Sequence, residues 1–308
     1  MLKEKMPLVS IILQTFNRKK LLKKALQSAI NQTYKNIEIL IADNHSEDGT
    51  EEFCQKYAKK DARIKLHRHE ENIGMVKNAN YILNEVRGEF AIFLNDDDWL
   101  DLNYVEECIN FMNDNPNYSI VSPSTKLFNG NSLKGELLSV PKLDDNNVLT
   151  RLKNYLAAQD TGKISSGCFK SSIFEEIKKA DGTYLRDRYN EDIVIIMKFL
   201  AAGKGKVLKE VHYNKLDGGA TVLIETTGEH IYPTEGINLN NIIKKRAEIF
   251  SQALLTDKSF SLFIQENNLK DISKSLYKYV KNLYRESPKT KICQLWEFIS
   301  RYPIYIEL

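Results

Sequence analysis

Apolar and polar positions along the first hundred residues follow two alternating rhythms. Runs dense in Val, Ile, Leu and Phe over 7–16, 37–42, 64–67 and 90–94 have the length and composition of strands, and FAIFL at 90–94 is apolar at all five positions. Strands buried on both faces of a parallel sheet read this way. Between them the apolar period lengthens. Leu21, Leu22, Ala25, Leu26, Ala29 and Ile30 recur at helical spacing while Lys19, Lys20, Lys23, Lys24 and Gln27 take the other face. Further helices are expected over 51–59 and from the loop Glu71-Asn72-Ile73-Gly74 through residue 86. Four strands separated by three helices imply right-handed crossovers and a mostly parallel α/β sheet flanked by helices.

The second hundred residues are less regular. An amphipathic helix is expected over 102–112 and a strand over 120–128, followed by a loop over 129–147 rich in Asn, Gly, Ser and Asp. A small strand-like stretch at 165–169 precedes a helix over 171–180, an apolar helix over 193–202 ends at Gly203, and 206–213 returns as a strand. From about residue 238 the pattern is helical, with Leu276, Tyr279, Val280 and Leu283 on one face. The expected division is therefore a main domain over 1–237, with halves 1–100 and 101–237, and a helical C-terminal appendage over 238–308.

Composition narrows the classes. At 308 residues and 42% hydrophobic the chain can bury a sizeable core, and a net charge of +3 makes no case for a nucleic-acid partner. Residues 239–308 carry 12 Lys and Arg against 7 Asp and Glu, with many aromatics. Such a tail fits self-association into a homo-oligomer or peripheral docking on an anionic membrane, with packing on the main domain as the plain alternative. Cys54, Cys108, Cys168 and Cys293 are scattered without a CxxC, as expected of reduced thiols. No run approaches the ~18 apolar residues of a membrane span. The expected location is cytoplasmic, at most the inner face of the membrane.

The chemistry begins where FAIFL stops, at Asn95, Asp96, Asp97 and Asp98. A dry strand delivers three carboxylates to its C-terminal end, where ligands of open α/β sheets sit. Three like charges repel unless a cation or proton neutralises them, and oxygen ligands suit Mn2+ or Mg2+. The expected metal ligands are Asp97, Asp98 and Asp96, with His212 a weaker candidate from the return strand. The plainer reading is a polar turn in which Asp101 caps the next helix. Thr15, Asn17, Arg18 and Asp43 close the first two strands, and Lys77 in the opening turn of a helix has the charge to meet a phosphate. Neither GxGxxG nor GxxxxGK[ST] occurs, so the common dinucleotide and P-loop readings lack support.

Taken in order, SIILQTFNR, IADNHSEDGT, ENIGMVKNAN, LNDDDW and YNEDIVIIMKFLAAGK resemble the family 2 glycosyltransferases of GT-A fold, over roughly residues 7–213. The resemblance implies nucleotide contacts at Thr15, Asn17, Arg18, Asp43, Asn72, Gly74, Lys77, Asn78, Asp96 and Asp97. It also implies a DxD-type metal site, a nucleotide-binding half over 1–100 and an acceptor-binding half over 101–237. Asp192 is the implied catalytic base, with Glu191 beside it. The implied activity is inverting transfer from a UDP-sugar to a glycan, lipid-linked or protein acceptor. Two other readings are a sugar-1-phosphate nucleotidyltransferase, whose glycine-rich signature is missing from TFNRKKLL, and a non-catalytic nucleotide- or carbohydrate-binding scaffold.

Overall fold

The computed structural model describes residues 6–137, 142–157, 166–178, 184 and 191–216. The expected appendage over 238–308 lies outside them, as does Cys293. Strands β1 (Val9–Thr15), β2 (Ile37–Asp43), β3 (Ile64–Arg68) and β4 (Phe90–Phe93) pair in parallel, with β1 between β2 and β4 and β3 outside β2. Helices α1 (Lys19–Ile30), α2 (Thr50–Ala58) and α3 (Met75–Asn84) connect them. The period-two alternation of the strands is visible in the core. Val9, Ile11, Leu13, Ile37, Ile39, Ile41, Phe90 and Ile92 join one apolar cluster with Leu22, Leu26 and Ala29 of α1, whereas Ile12, Leu40, Ala42 and Ala91 join the other with Ile82 and Leu83 of α3.

The second half extends the sheet with mixed polarity. Helix α4 (Tyr104–Asp114) leads to β6 (Tyr118–Asn129), and after it come α5 (Val148–Ala157), β8 (Cys168–Lys170), α6 (Ser171–Ile177), α7 (Glu191–Ala202) and β9 (Lys204–Leu216). Two strands were not expected: β5 (Trp99–Leu100), which pairs antiparallel with β9, and β7 (Ser132–Leu137), which returns along β6 as a hairpin. The stretch expected to be a loop over 129–147 is thus partly strand. Two residues carry no periodic signal, and Gly135 within SLKGEL disguises β7. Along its path the sheet runs β3-β2-β1-β4-β8-β6-β9-β5. Strand β8 is antiparallel to both neighbours, while β6 and β9 are parallel.

One glycine is fixed by crowding. A Cβ at Gly88 would lie 2.7 Å from the Phe90 carbonyl oxygen and the Ser10 amide nitrogen, so the turn into β4 admits no side chain. Among the described residues no helix is long and apolar enough to cross a membrane.

Candidate active site

The C-terminal ends of β1, β2 and β4 form one edge, with Thr15 opposite Asp43 in the ladder. The loops above that edge are built from their own polar side chains. The Asn17 amide donates to Ser46 Oγ at 2.8 Å and its Oδ1 accepts from the Glu47 amide at 2.8 Å, tying the first loop to the second. Asn17 holds φ at 52°, a left-handed value that Asn tolerates. Asp48 Oδ2 accepts from the Lys19 amide at 2.9 Å and so caps α1 from outside. Asn72 Oδ1 accepts from Asn44 Nδ2 at 2.7 Å and from the Gly74 amide at 3.0 Å, while Gly74 supplies the positive φ of 82° that opens α3.

Asn78 is committed at both ends. Its Nδ2 donates to the Ala42 carbonyl at 3.2 Å and its Oδ1 bonds His69 Nε2 at 3.0 Å. It is buried and clamps α3 to the end of β2. Asn17, Asn72 and Asn78, expected as nucleotide contacts, therefore build the cradle with their side chains. Lys77 sits in the first turn of the helix they anchor.

Asp43 is different. Its Oδ1 takes both the amide and the hydroxyl of Ser46, but Oδ2 is buried without a hydrogen-bond partner. Arg68, the last residue of β3, brings Nε to 3.8 Å from that oxygen. Arg68 Nε also lies 3.1 Å from Glu51 Oε2, yet without the alignment of a hydrogen bond, so it too lacks a bonded partner. The Thr15 hydroxyl is buried too, without a hydrogen bond of full geometry, and close enough to Asp96 to oppose the rise that burial gives that carboxyl's pKa. Buried polar atoms left open at a strand end await a ligand or water. Sequence reasoning missed Arg68, whose only signal was a charge at a strand terminus.

The three carboxylates after β4 have three environments. Asp96 Oδ1 accepts from Arg18 at 2.9 Å; burial pushes its pKa above the ordinary carboxylate range, Arg18 opposes this and Asp97 adds to it. Asp97 Oδ2 lies 3.7 Å from the same guanidinium. Asp98 is buried and its oxygens receive Tyr213 Oη at 2.8 Å, Asn95 Nδ2 at 3.0 Å and the Leu216 amide at 2.9 Å. Burial, with Asp97 adjacent, pushes its pKa up to about 6.

Among the described residues no group of three His, Cys, Asp or Glu comes together as a metal cage. Asp98 spends its oxygens on the fold. His212 turns elsewhere, its amide and Nδ1 both 3.1 Å from Asp101 Oδ2. Asp101 binds this strand and Asn214 through its side chain, and the residue at the N-cap of α4 is Asn103. An oxygen donor set with Asp97 as a single carboxylate still fits Mg2+ or Mn2+, which are commonly held by one or two carboxylates plus substrate phosphates. Glu191 and Asp192 open α7, with side chains outside the described residues.

Residues 10–176 match the profile described as Glycosyl transferase family 2. The chain belongs to this family. Curated relatives include the GalNAc(5)-diNAcBac-PP-undecaprenol beta-1,3-glucosyltransferase of Campylobacter jejuni, 43% identical over 96 residues that make up 31% of each chain. WfgD of Escherichia coli, a UDP-Glc:alpha-D-GlcNAc-diphosphoundecaprenol beta-1,3-glucosyltransferase, is 32% identical over 142 residues, 46% of this chain and 55% of the relative. The matched stretch covers 31% of the first of these two relatives and 55% of the second. Among solved structures, Staphylococcus aureus TarS 1-349 aligns with a TM-score of 0.58 at 19% identity, over 90% of this chain and 91% of TarS 1-349. The mannosyltransferase PcManGT of Pyrobaculum calidifontis, in complex with GDP-Man and Mn2+, gives 0.55 at 14% identity over 97% and 75%. These likenesses show the GT-A fold, a mixed sheet flanked by helices.

Proposed function

We propose that this chain is an inverting glycosyltransferase that moves a sugar from a UDP-sugar to a hydroxyl acceptor. The observation that carries the donor reading is the open pair at the end of β2 and β3: Asp43 Oδ2 as acceptor beside Arg68 Nε as donor. A base edge with an N–H next to a carbonyl complements that pair, as uracil does at N3 and its neighbouring oxygen. Cytosine and adenine offer instead an exocyclic amino group beside a bare ring nitrogen, and would have to shift along the pair to meet it, whereas the uracil N3–H has a carbonyl on either side. Guanine has the right order, but its additional amino group asks for a second carboxylate oxygen, and Ser46 already occupies Oδ1. Arg68, partly exposed, is the side chain that would move to admit the base.

In this reading Thr15 and Asp43 face the nucleoside, and Arg18, Asp96 and Asp97 face the diphosphate, with Lys77 as a second cation. A divalent cation held by Asp97 and the donor's own oxygens would offset the charge developing on the leaving group. Asp192 removes the acceptor hydroxyl's proton as its oxygen bonds to the anomeric carbon, the carbon–diphosphate bond breaks, UDP departs, and the configuration inverts. Asp192 lies in the first turn of α7, where the helix dipole favours its ionised form. Two of the relatives are named for polyprenyl-diphosphate-linked substrates, which supports a lipid-linked acceptor met at the inner face of the membrane. Self-association or membrane docking through residues 238–308 belongs to the same proposal.

Isothermal titration with UDP, CDP, GDP and ADP tests the donor reading. UDP should bind at least ~10-fold more tightly than the others, because a mismatched base leaves buried polar atoms unpaired. Equal affinities, or a preference for GDP, would overturn it.

A further inference from the structure

We propose that Tyr213 is a positioning residue of this site: its phenol oxygen brackets the acidic turn, bonding Asn95 and Asp98 at once, and so fixes the orientation in which Asp96 and Asp97 meet Arg18 and the donor's diphosphate. The diphosphate in that statement rests on the function proposed above; the bracket is a matter of geometry.

Three adjacent carboxylates on one turn repel one another, and nothing in their sequence holds them in one arrangement. The turn itself closes weakly, the Asp98 amide reaching the Asn95 carbonyl at 3.2 Å. Within the turn the Asn95 side-chain amide also reaches Asp98 Oδ2 at 3.0 Å, and the contacts from β5 and Leu216 grip one end only. The β5–β9 ladder fixes Trp99 and Leu100 beyond the turn, and the Leu216 amide fixes Asp98 alone. Tyr213 Oη reaches both ends: it donates to Asp98 Oδ2 at 2.8 Å and accepts from the Asn95 amide at 3.2 Å.

The phenol is held in turn. Tyr213 is 2% exposed, and its ring meets Tyr104 edge-on with centroids 6.4 Å apart. Tyr104 donates its own hydroxyl to the Ser166 carbonyl. Asp96 and Asp97, the two residues between the bracketed ends, are the ones whose oxygens lie 2.9 and 3.7 Å from Arg18. Strand β9 thus adds, from 115 residues downstream of Asp98, a buried anchor to the two bonds that the acidic turn makes within itself.

Tyr213→Phe keeps the ring and removes both bonds. In the full-length chain without metal, amide hydrogen exchange at Asn95 should accelerate by ~10-fold or more, with Ile11, Ile12 and Leu13 of β1 unchanged. In titrations, UDP affinity in EDTA should stay within ~2-fold of wild type while the gain on adding Mn2+ falls by ~10-fold. Faster exchange with an unaltered Mn2+ gain would make Tyr213 merely structural and overturn the proposal, as would unchanged exchange. A wild-type chain that does not bind UDP would overturn the donor reading, and the exchange data would then judge the bracket by itself. The wild type also supplies a test that needs no variant: an Asn95 amide exchanging as fast as an exposed loop overturns the proposal.

Discussion

Asp43 Oδ2 and Arg68 Nε face each other across 3.8 Å, each buried and each without a hydrogen bond. A carboxylate and a guanidinium this close normally join directly, since charge-assisted bonds form at ~2.8 Å. The gap leaves an acceptor and a donor side by side, with Glu51 Oε2, 3.1 Å from Arg68 Nε, as the nearer anion that a third group would have to displace. Asp43→Asn replaces the open oxygen with either an amide or a neutral carbonyl, and UDP affinity should fall by ~10-fold or more, equivalent to about 1.4 kcal/mol. Arg68→Lys keeps the charge but loses the planar donor, and should reduce the preference for UDP over CDP. Titration of both variants checks this.

The three carboxylates after β4 should separate by phenotype. Asp97→Asn should leave thermal stability near wild type and abolish most of the Mn2+-dependent gain in UDP binding. Asp98→Asn should destabilise the fold by about 1 to 3 kcal/mol, because an amide group would face one of the donors from Tyr213, Asn95 and Leu216. Denaturant unfolding beside titration with Mn2+ and with EDTA distinguishes them. A stable Asp98→Asn that loses the metal effect would return Asp98 to the ligand set.

Asp192→Asn should retain UDP binding and lower turnover by ~100-fold or more, since it keeps shape and removes basicity. NMR of the product from an α-linked donor should show a β linkage. Turnover within a few-fold of wild type would remove Asp192 from the mechanism, and a retained α linkage would remove single displacement.

Far from the site, Glu38 gives a pH prediction. Its burial pushes the pKa up, but Lys65 at 2.6 Å, Ser10 Oγ at 2.6 Å and the Arg87 amide at 3.0 Å outweigh this and hold it below the ordinary range. A depressed carboxylate pKa contributes stability that is complete above the unfolded value and is lost as pH falls through the folded one. Glu38→Gln should therefore be less stable than wild type at neutral pH, by about 1 to 3 kcal/mol, with the difference shrinking below pH ~4. Urea unfolding across pH measures it; a constant difference would refute the ionic origin.

The parallel unit was legible because its strands are apolar with period two and its helices with period 3.6, and both periods reach the core as read. The site was legible as an address rather than as a set of contacts. Asn17, Asn72 and Asn78 gather at the C-terminal edge of the sheet as expected of their elements, but a sequence does not reveal that their amides bond the surrounding loops and strands. Asp98 could not be told from Asp97, because their difference is made by Tyr213 and Leu216, both more than a hundred residues away. Arg68 was invisible for the opposite reason: a charged residue ending an edge strand reads as solvated.

Strands β4 and β5 are joined by only residues 94–98, yet along the sheet they are separated by β8, β6 and β9. Four strand spacings come to ~19 Å, close to the ~20 Å that the connection could span if fully extended. It is not extended, since it contains the Asn95–Asp98 turn. The acidic segment is therefore a chord drawn across an arc of sheet that cannot lie flat between β4 and β5. A ligand bound at Asp96 or Asp97 would sit on the same short segment that ties the parallel unit to β5 and, through it, to β9.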